Sequence, residues 1–101
     1  MAKIVVLFNL KPGVSVADYE KFARETDLPV VNGLASINKF EVLKSTGLLR
    51  GGAAPYQYIE IIDVADMGQF GKEVATEQMQ KVVGKFRSLA DDPLFILTES
   101  L

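Results

Sequence analysis

The chain of 101 residues contains no cysteine, no histidine and no tryptophan. Without cysteine there are no disulfides, no thiolate nucleophile and no thiolate-held metal. Without histidine the usual general base, imidazole ligation of haem and most zinc sites are excluded. Ser15, Ser36, Ser45, Ser88 and Ser100 therefore have no imidazole to activate them. Gly51-Gly52 stands in neither a G-x-G-x-x-G context nor one followed by Lys-Ser/Thr, so no phosphate loop is expected. There is no basic run and the formal net charge is −2, which argues against nucleic acid as a partner. No apolar stretch approaches the roughly 18 residues of a membrane span, and MAKIVVLFNLKPG reaches charge too soon for a secretory leader. A cytoplasmic protein without a membrane partner is the expectation. Catalysis, if present, falls to carboxylates, Tyr, Lys, Arg or Asn, and no cofactor is required by these residues.

What is present is apolar surface in short blocks. Residues of hydrophobic type make up 49%, high for so short a chain, which points to apolar area buried between subunits. Lys3–Leu10 reads as a strand, Lys11-Pro12-Gly13 as a turn, and Ser15 as the cap of a helix with Asp18 at its third position. That helix runs to about Asp27, where Pro29 restricts Leu28 and kinks or ends it. Asn32-Gly33 or the Ala35-Ser36 region closes the connection. Ile37–Ser45 and Tyr56–Val64 read as strands separated by the Gly/Ala loop Gly47–Pro55. Asp66–Ala90 is helical with a break near Thr76, Asp91-Asp92-Pro93 stops it, and Leu94–Glu99 is the last strand. The order β-α-β-β-α-β predicts one α+β domain over residues 1–101, ferredoxin-like, with a four-stranded antiparallel sheet.

The strands are apolar on both parities. Ile4 to Phe8, Tyr58 to Ile62 around Glu60, and Leu94 to Leu97 do not alternate as a sheet with one wet face should. Two helices cover one face only. A second copy, sheet against sheet in a two-fold homodimer, is the simplest cover for the other.

Two acids stand out. Tyr19, Phe22, Ala23 and Thr26 follow i, i+3, i+4, i+7 spacing and form one helical face. Asp27 lies on the flank of that stripe, in a last turn where the helix dipole disfavours negative charge by roughly 0.3–1 kcal/mol. It is either a site carboxylate or the N-cap of a short helix restarting near Pro29. Glu60 sits between Ile59 and Ile61 in a strand that should be central, sharing a face with Tyr56, Tyr58 and Ile62. It is either a second acid of the site, its pKa raised by burial, or a structural acid bonded to Lys, Arg or Tyr. Asn9, on the strand parity of Val5 and Leu7, serves the turn at Lys11-Pro12 or contacts a ligand. Tyr19, Tyr56 and Tyr58 offer flat apolar surface with a phenol, for core, interface or site. Arg24 reads as a surface ion pair. Lys44 and Arg50 read as solvated charge or as receivers of an anionic group. Phe70, Val74, Met79, Val83 and Phe86 read as core packing.

The segments FNLKPGVS and DLPVVNGLASINKF, set in this strand order, resemble the RedY/HapK-like proteins of the dimeric α+β barrel superfamily. The resemblance covers essentially the whole chain and implies prodiginine-type or related secondary metabolism. It also implies a pocket between helices and sheet at Asp27, a position where related EthD-like proteins usually carry His in a His-x-Pro-Leu context. The expectation is then a homodimer holding an aromatic, pyrrole- or indole-like ligand in a small apolar pocket. Asp27 and Glu60 would be the catalytic acids, with Asn9, Tyr19, Tyr56 and Tyr58 toward substrate. A cofactor-less oxygenase and a non-catalytic carrier of a reactive intermediate are the rival readings.

Overall fold

A computed structural model describes residues 2–101 as four strands with helices packed on one face. β1 (Ala2–Leu10) is followed by α1 (Val16–Phe22), a π-helical turn (Ala23–Asp27) and α2 (Leu28–Asn32). Then come β2 (Ile37–Lys44), β3 (Tyr58–Val64), α3 (Met67–Val74), α4 (Glu77–Leu89) and β4 (Ala90–Glu99). The sheet is antiparallel in the order β2-β3-β1-β4, so the expected ferredoxin-like α+β plan is present.

Local sequence explains most boundaries. Pro12 and Gly13 (φ 87°) occupy the centre of a turn closed by the Val14 amide donating to Lys11 carbonyl at 3.0 Å. The Ser15 hydroxyl accepts from the Asp18 amide at 3.0 Å, as its capping position requires. Thr76 caps α4 by accepting from the Met79 amide, which separates α3 from α4 at the expected place. Asn32 clamps the end of α2 to β2: its side chain donates to Phe40 carbonyl at 3.0 Å and accepts from Phe40 amide at 2.9 Å. Glu73 of α3 receives the amides of Ala35 and Ser36, each at 3.1 Å, and the Ser36 hydroxyl. These charge-assisted bonds fix α3 to the entry of β2.

Three boundaries depart from expectation. β3 begins at Tyr58, leaving Tyr56 half-buried outside the strand. β2 ends at Lys44, one residue earlier than the spacing suggests. β4 begins at Ala90, because Asp91-Asp92-Pro93 does not end the ordered pairing but irregularly continues it. The β1–β4 register shifts between Leu7 and Asn9, and Asp92 takes φ 43°, a left-handed conformation that Asp tolerates.

The core lies between the sheet and the helices. Ile4, Val6, Phe8 and Leu10 of β1 point into it, with Tyr58, Ile62 and Val64 from β3. Phe8 packs edge-on to Phe86 (5.0 Å) and stacks on Tyr58 (5.6 Å), and Tyr58 meets Tyr19 at 4.6 Å. Rings in such geometry add about 0.5–1.5 kcal/mol per pair beyond their burial.

The other face is open and apolar. Register places Leu43, Ile59, Leu7 and Leu94 abreast across all four strands, with Ile61, Val5 and Ile96 in the next row, which ends on Glu41 of β2. Leu43, Leu94 and Ile96 are each more than two-fifths exposed.

Candidate functional site

Asp27 owes its position to the π turn. A proline inside a helix has no amide to donate and crowds the carbonyl four residues back, here Glu25. The backbone widens just before Pro29, and the Leu28 amide donates to Ala23 carbonyl, five residues back. One extra residue is thereby inserted into the inward face. Thr26, which uniform α periodicity assigns to that face, is half-buried; Asp27 and then Val31 take the buried positions. Asp27 is 5% exposed and its carboxylate makes no capping bond to α2, so the N-cap reading is not what the chain adopts.

Glu60 rises from the middle of β3, flanked across the sheet by Val6 of β1 and Val42 of β2. It is 4% exposed. The Tyr19 phenol donates to its Oε2 at 3.5 Å, the tyrosine bond that the structural reading expects.

Both carboxyls face one cavity of about 210 Å³ between sheet and helices. Ile4 and Ile62 line it from the sheet, Val31, Val82 and Phe86 from the helices, and Phe95 from β4. Phe70, Val74, Met79 and Val83, expected as plain core packing, also line it. Apart from the two acids and Arg87, every lining side chain is of apolar type.

Burial sets the protonation of the pair. With little solvation for its charge, Asp27 has its pKa pushed up from 3.8 to about 7. Glu60 is raised well above the ordinary carboxylate range, first by burial and then by the charge of Asp27, against the opposing bond from Tyr19. Asp27 therefore ionises first, and its charge holds the proton on Glu60. Tyr19 is raised by burial and by these acids, so its phenol stays a donor. Near neutral pH Asp27 is divided between both forms, while burial and the Asp27 charge both favour the protonated form of Glu60.

The other expected site residues lie elsewhere. Tyr58 turns its hydroxyl away from the cavity and donates to Glu20 Oε2 at 2.8 Å. Glu20 also pairs with Lys44 (3.1 Å) and with Arg24 (3.2 Å), so both cations are engaged on the outer side of α1. Glu20 is held below the ordinary carboxylate range, chiefly by the Tyr58 bond and then by Lys44. Asn9 accepts from the Gln57 amide at 2.9 Å and donates to Pro55 carbonyl at 3.3 Å. It pins the end of the Gly-rich loop rather than facing the cavity. Tyr56 does not line the cavity either, and Arg50 is exposed in the loop. Of the residues expected at a site, Asp27 and Glu60 meet, and Tyr19 joins them from behind.

A family model described as REDY-like protein HapK matches residues 2–101. The chain belongs to the REDY-like HapK family. The crystal structure of HapK from Hahella chejuensis superposes with a TM-score of 0.75 at 25% identity, covering 100% of this chain and 93% of that one. The Arabidopsis thaliana protein At3g17210 gives a TM-score of 0.81 at 19% identity over 100% of this chain and 96% of that chain. A dimeric ferredoxin-like protein of unknown function from Thermobifida fusca gives 0.77 at 13% identity, with 98% and 90% covered. At these last two identities the likeness is one of fold. No curated protein sequence matches this chain. Among the described residues, no helix of this HapK-family chain is long and apolar enough to cross a membrane.

Proposed function

We propose that this HapK-family chain is a cofactor-independent enzyme of secondary metabolism, of the prodiginine type or a related pathway. Its reaction is proton transfer on an aromatic, pyrrole- or indole-like intermediate, in a dehydration, isomerisation or cyclisation. The observation behind this reading is the pair of buried acids in a largely apolar cavity, one with its pKa raised to about 7 and one raised by burial and by its neighbour's charge. A base works best with a pKa near the working pH, and a second acid held neutral can return the proton to a departing oxygen. Asp27 as carboxylate removes a proton from the bound intermediate; Glu60 as acid donates one; Tyr19 orients Glu60. The working form is a homodimer in the cytoplasm, its two open sheet faces apposed. The apolar row Leu43-Ile59-Leu7-Leu94 across the four strands and the dimeric ferredoxin-like neighbour from Thermobifida fusca support that assembly.

The test uses a panel of synthetic pyrrole and indole carbonyl compounds able to lose water on ring closure, followed by liquid chromatography and mass spectrometry. Wild-type protein is expected to accelerate water loss for members that fit the cavity, and Asp27→Asn to abolish that acceleration. Binding without any acceleration would contradict the proposal and favour a carrier. Stoichiometric oxygen uptake would contradict it in favour of an oxygenase.

A further inference from the structure

The cavity has an electrostatic direction. Its inner wall carries Asp27 and Glu60, both almost fully buried. At the rim stand Phe95, 51% exposed on the edge strand β4, and the exposed Arg87 of α4. Arg87 follows Val83 by four residues, so it extends the cavity-lining stripe of α4 to the free edge of the sheet. Arg24, Lys39, Lys44 and Lys81 are held in ion pairs, but Arg87 forms none among the described residues. Lys21, Lys81 and Lys85 are not alternatives. They line a separate groove between α1 and α4, where Asp18 and Glu25 sit among them and offset their charge.

We propose that Arg87 is a specificity residue, which binds an anionic group, such as a carboxylate, on the outer end of the substrate. This rests on the cavity being the substrate site, as proposed above, and adds the class and orientation of the ligand. An anionic group is not seated inward, where solvation is poor and the polar groups at Asp27 and Glu60 are carboxyls with no cation among the described residues beside them. At the rim it meets a planar guanidinium that can grip both oxygens of a carboxylate. The cavity limits the body of the ligand. A dry apolar cavity of roughly 150 Å³ holds one benzene ring, so about 210 Å³ accommodates a fused bicycle or one substituted ring. The ligand is thus a small aromatic acid, its ring between Phe86 and the sheet, its reactive end at Asp27 and its anion at Arg87.

Three probes test this by amide chemical-shift titration at about pH 6: indole, indole-3-acetamide and indole-3-acetate. Wild-type protein should bind the acetate about tenfold more tightly than the acetamide, the scale of one charge-assisted contact. The shifts should fall on Asp27, Phe86 and Phe95. In Arg87→Gln that preference should drop to less than about twofold, with indole itself binding as before, and Arg87→Lys should restore part of it. Equal affinity of acetate and acetamide in wild type, or a preference that survives Arg87→Gln, overturns the role of Arg87. Indole binding at those amides would then leave the cavity itself standing as the site. Failure of all three probes to shift them overturns the cavity reading and this inference together.

Discussion

Asp27→Asn is expected to be more stable than the wild type at about pH 8 and to lose that advantage at about pH 4. The folded-state pKa of about 7 lies above the ordinary 3.8, so folding favours the protonated acid. Below about pH 4 both folded and unfolded chains hold the proton, and burial of Asp27 carries no ionisation cost. Between about pH 4 and pH 7 the unfolded chain releases the proton while the fold retains it, and stability falls. Above about pH 7 the loss levels off. Each pH step in that window is worth about 1.4 kcal/mol, so the full cost is about 4 kcal/mol. An amide in place of the acid cannot ionise and escapes this slope. Chemical denaturation of both proteins across the range, read as their difference, reports Asp27 together with its coupling to Glu60 and cancels the groups that do not interact with it. A difference that stays constant with pH would show that Asp27 is solvated or paired in solution. The same substitution should lower turnover by about 10²–10⁴-fold, the usual contribution of a positioned acid or base. Stability gained where activity is lost is the signature of an acid placed for chemistry, since burial without partners serves no folding purpose.

Leu7→Lys is expected to turn a dimer into a folded monomer. Leu7 is the centre of an apolar row that spans the open face from Leu43 to Leu94, and no acid lies beside it in that row. In a two-fold dimer with this face inside, the substitution brings an unpaired ammonium from each copy into the contact. Burying unpaired charge costs several kcal/mol, and about 2.8 kcal/mol already weakens the dimer 100-fold. The side chain is only half-buried in the single chain, so a lysine there can keep its charge in water once the copies separate. Sedimentation velocity over a concentration series should show a wild-type dimer and a Leu7→Lys monomer with unchanged far-ultraviolet circular dichroism. A wild-type monomer, or a variant that dimerises as tightly as wild type, would contradict the sheet-to-sheet contact.

Some of this was legible from residue order and some was not, for physical reasons. Turn chemistry at Lys11-Pro12-Gly13, caps at Ser15 and Thr76 and the apolar strands are local signals, and they place β1, α1 and the break before α4 correctly. Asp91-Asp92-Pro93 is an equally local stop signal, but pairing with β1 outweighs it and converts it to a bulge within β4. Glu60 was visible as an acid in an apolar strand. Its partner Tyr19 was not, because 41 residues separate them and only the fold brings the phenol across. Asp27 was visible through Pro29, yet 3.6-residue periodicity placed it on the flank; the π turn needed to accommodate the proline moves it inward. The cavity lining was hidden for a different reason. Periodicity shows that Val74, Met79, Val83 and Phe86 face inward, but not whether the space before them is filled. Tyr56, Tyr58 and Asn9 had the chemistry of a site, but Asn9 bonds the loop, Tyr58 bonds Glu20 and Tyr56 lies outside β3 and away from the cavity. Its spacing from Val83 does not single out Arg87, because a cation in a last helical turn is ordinary on dipole grounds alone.

The most direct measurement is a carbon-13 titration of the side-chain carboxyls of Asp27 and Glu60 in the native protein. The expected result is a midpoint near 7 for Asp27, with Glu60 still protonated after Asp27 has ionised. Midpoints for both in the ordinary range near 4 would mean solvated, independent carboxylates, and the cavity would hold no acid fit to move a proton at neutral pH.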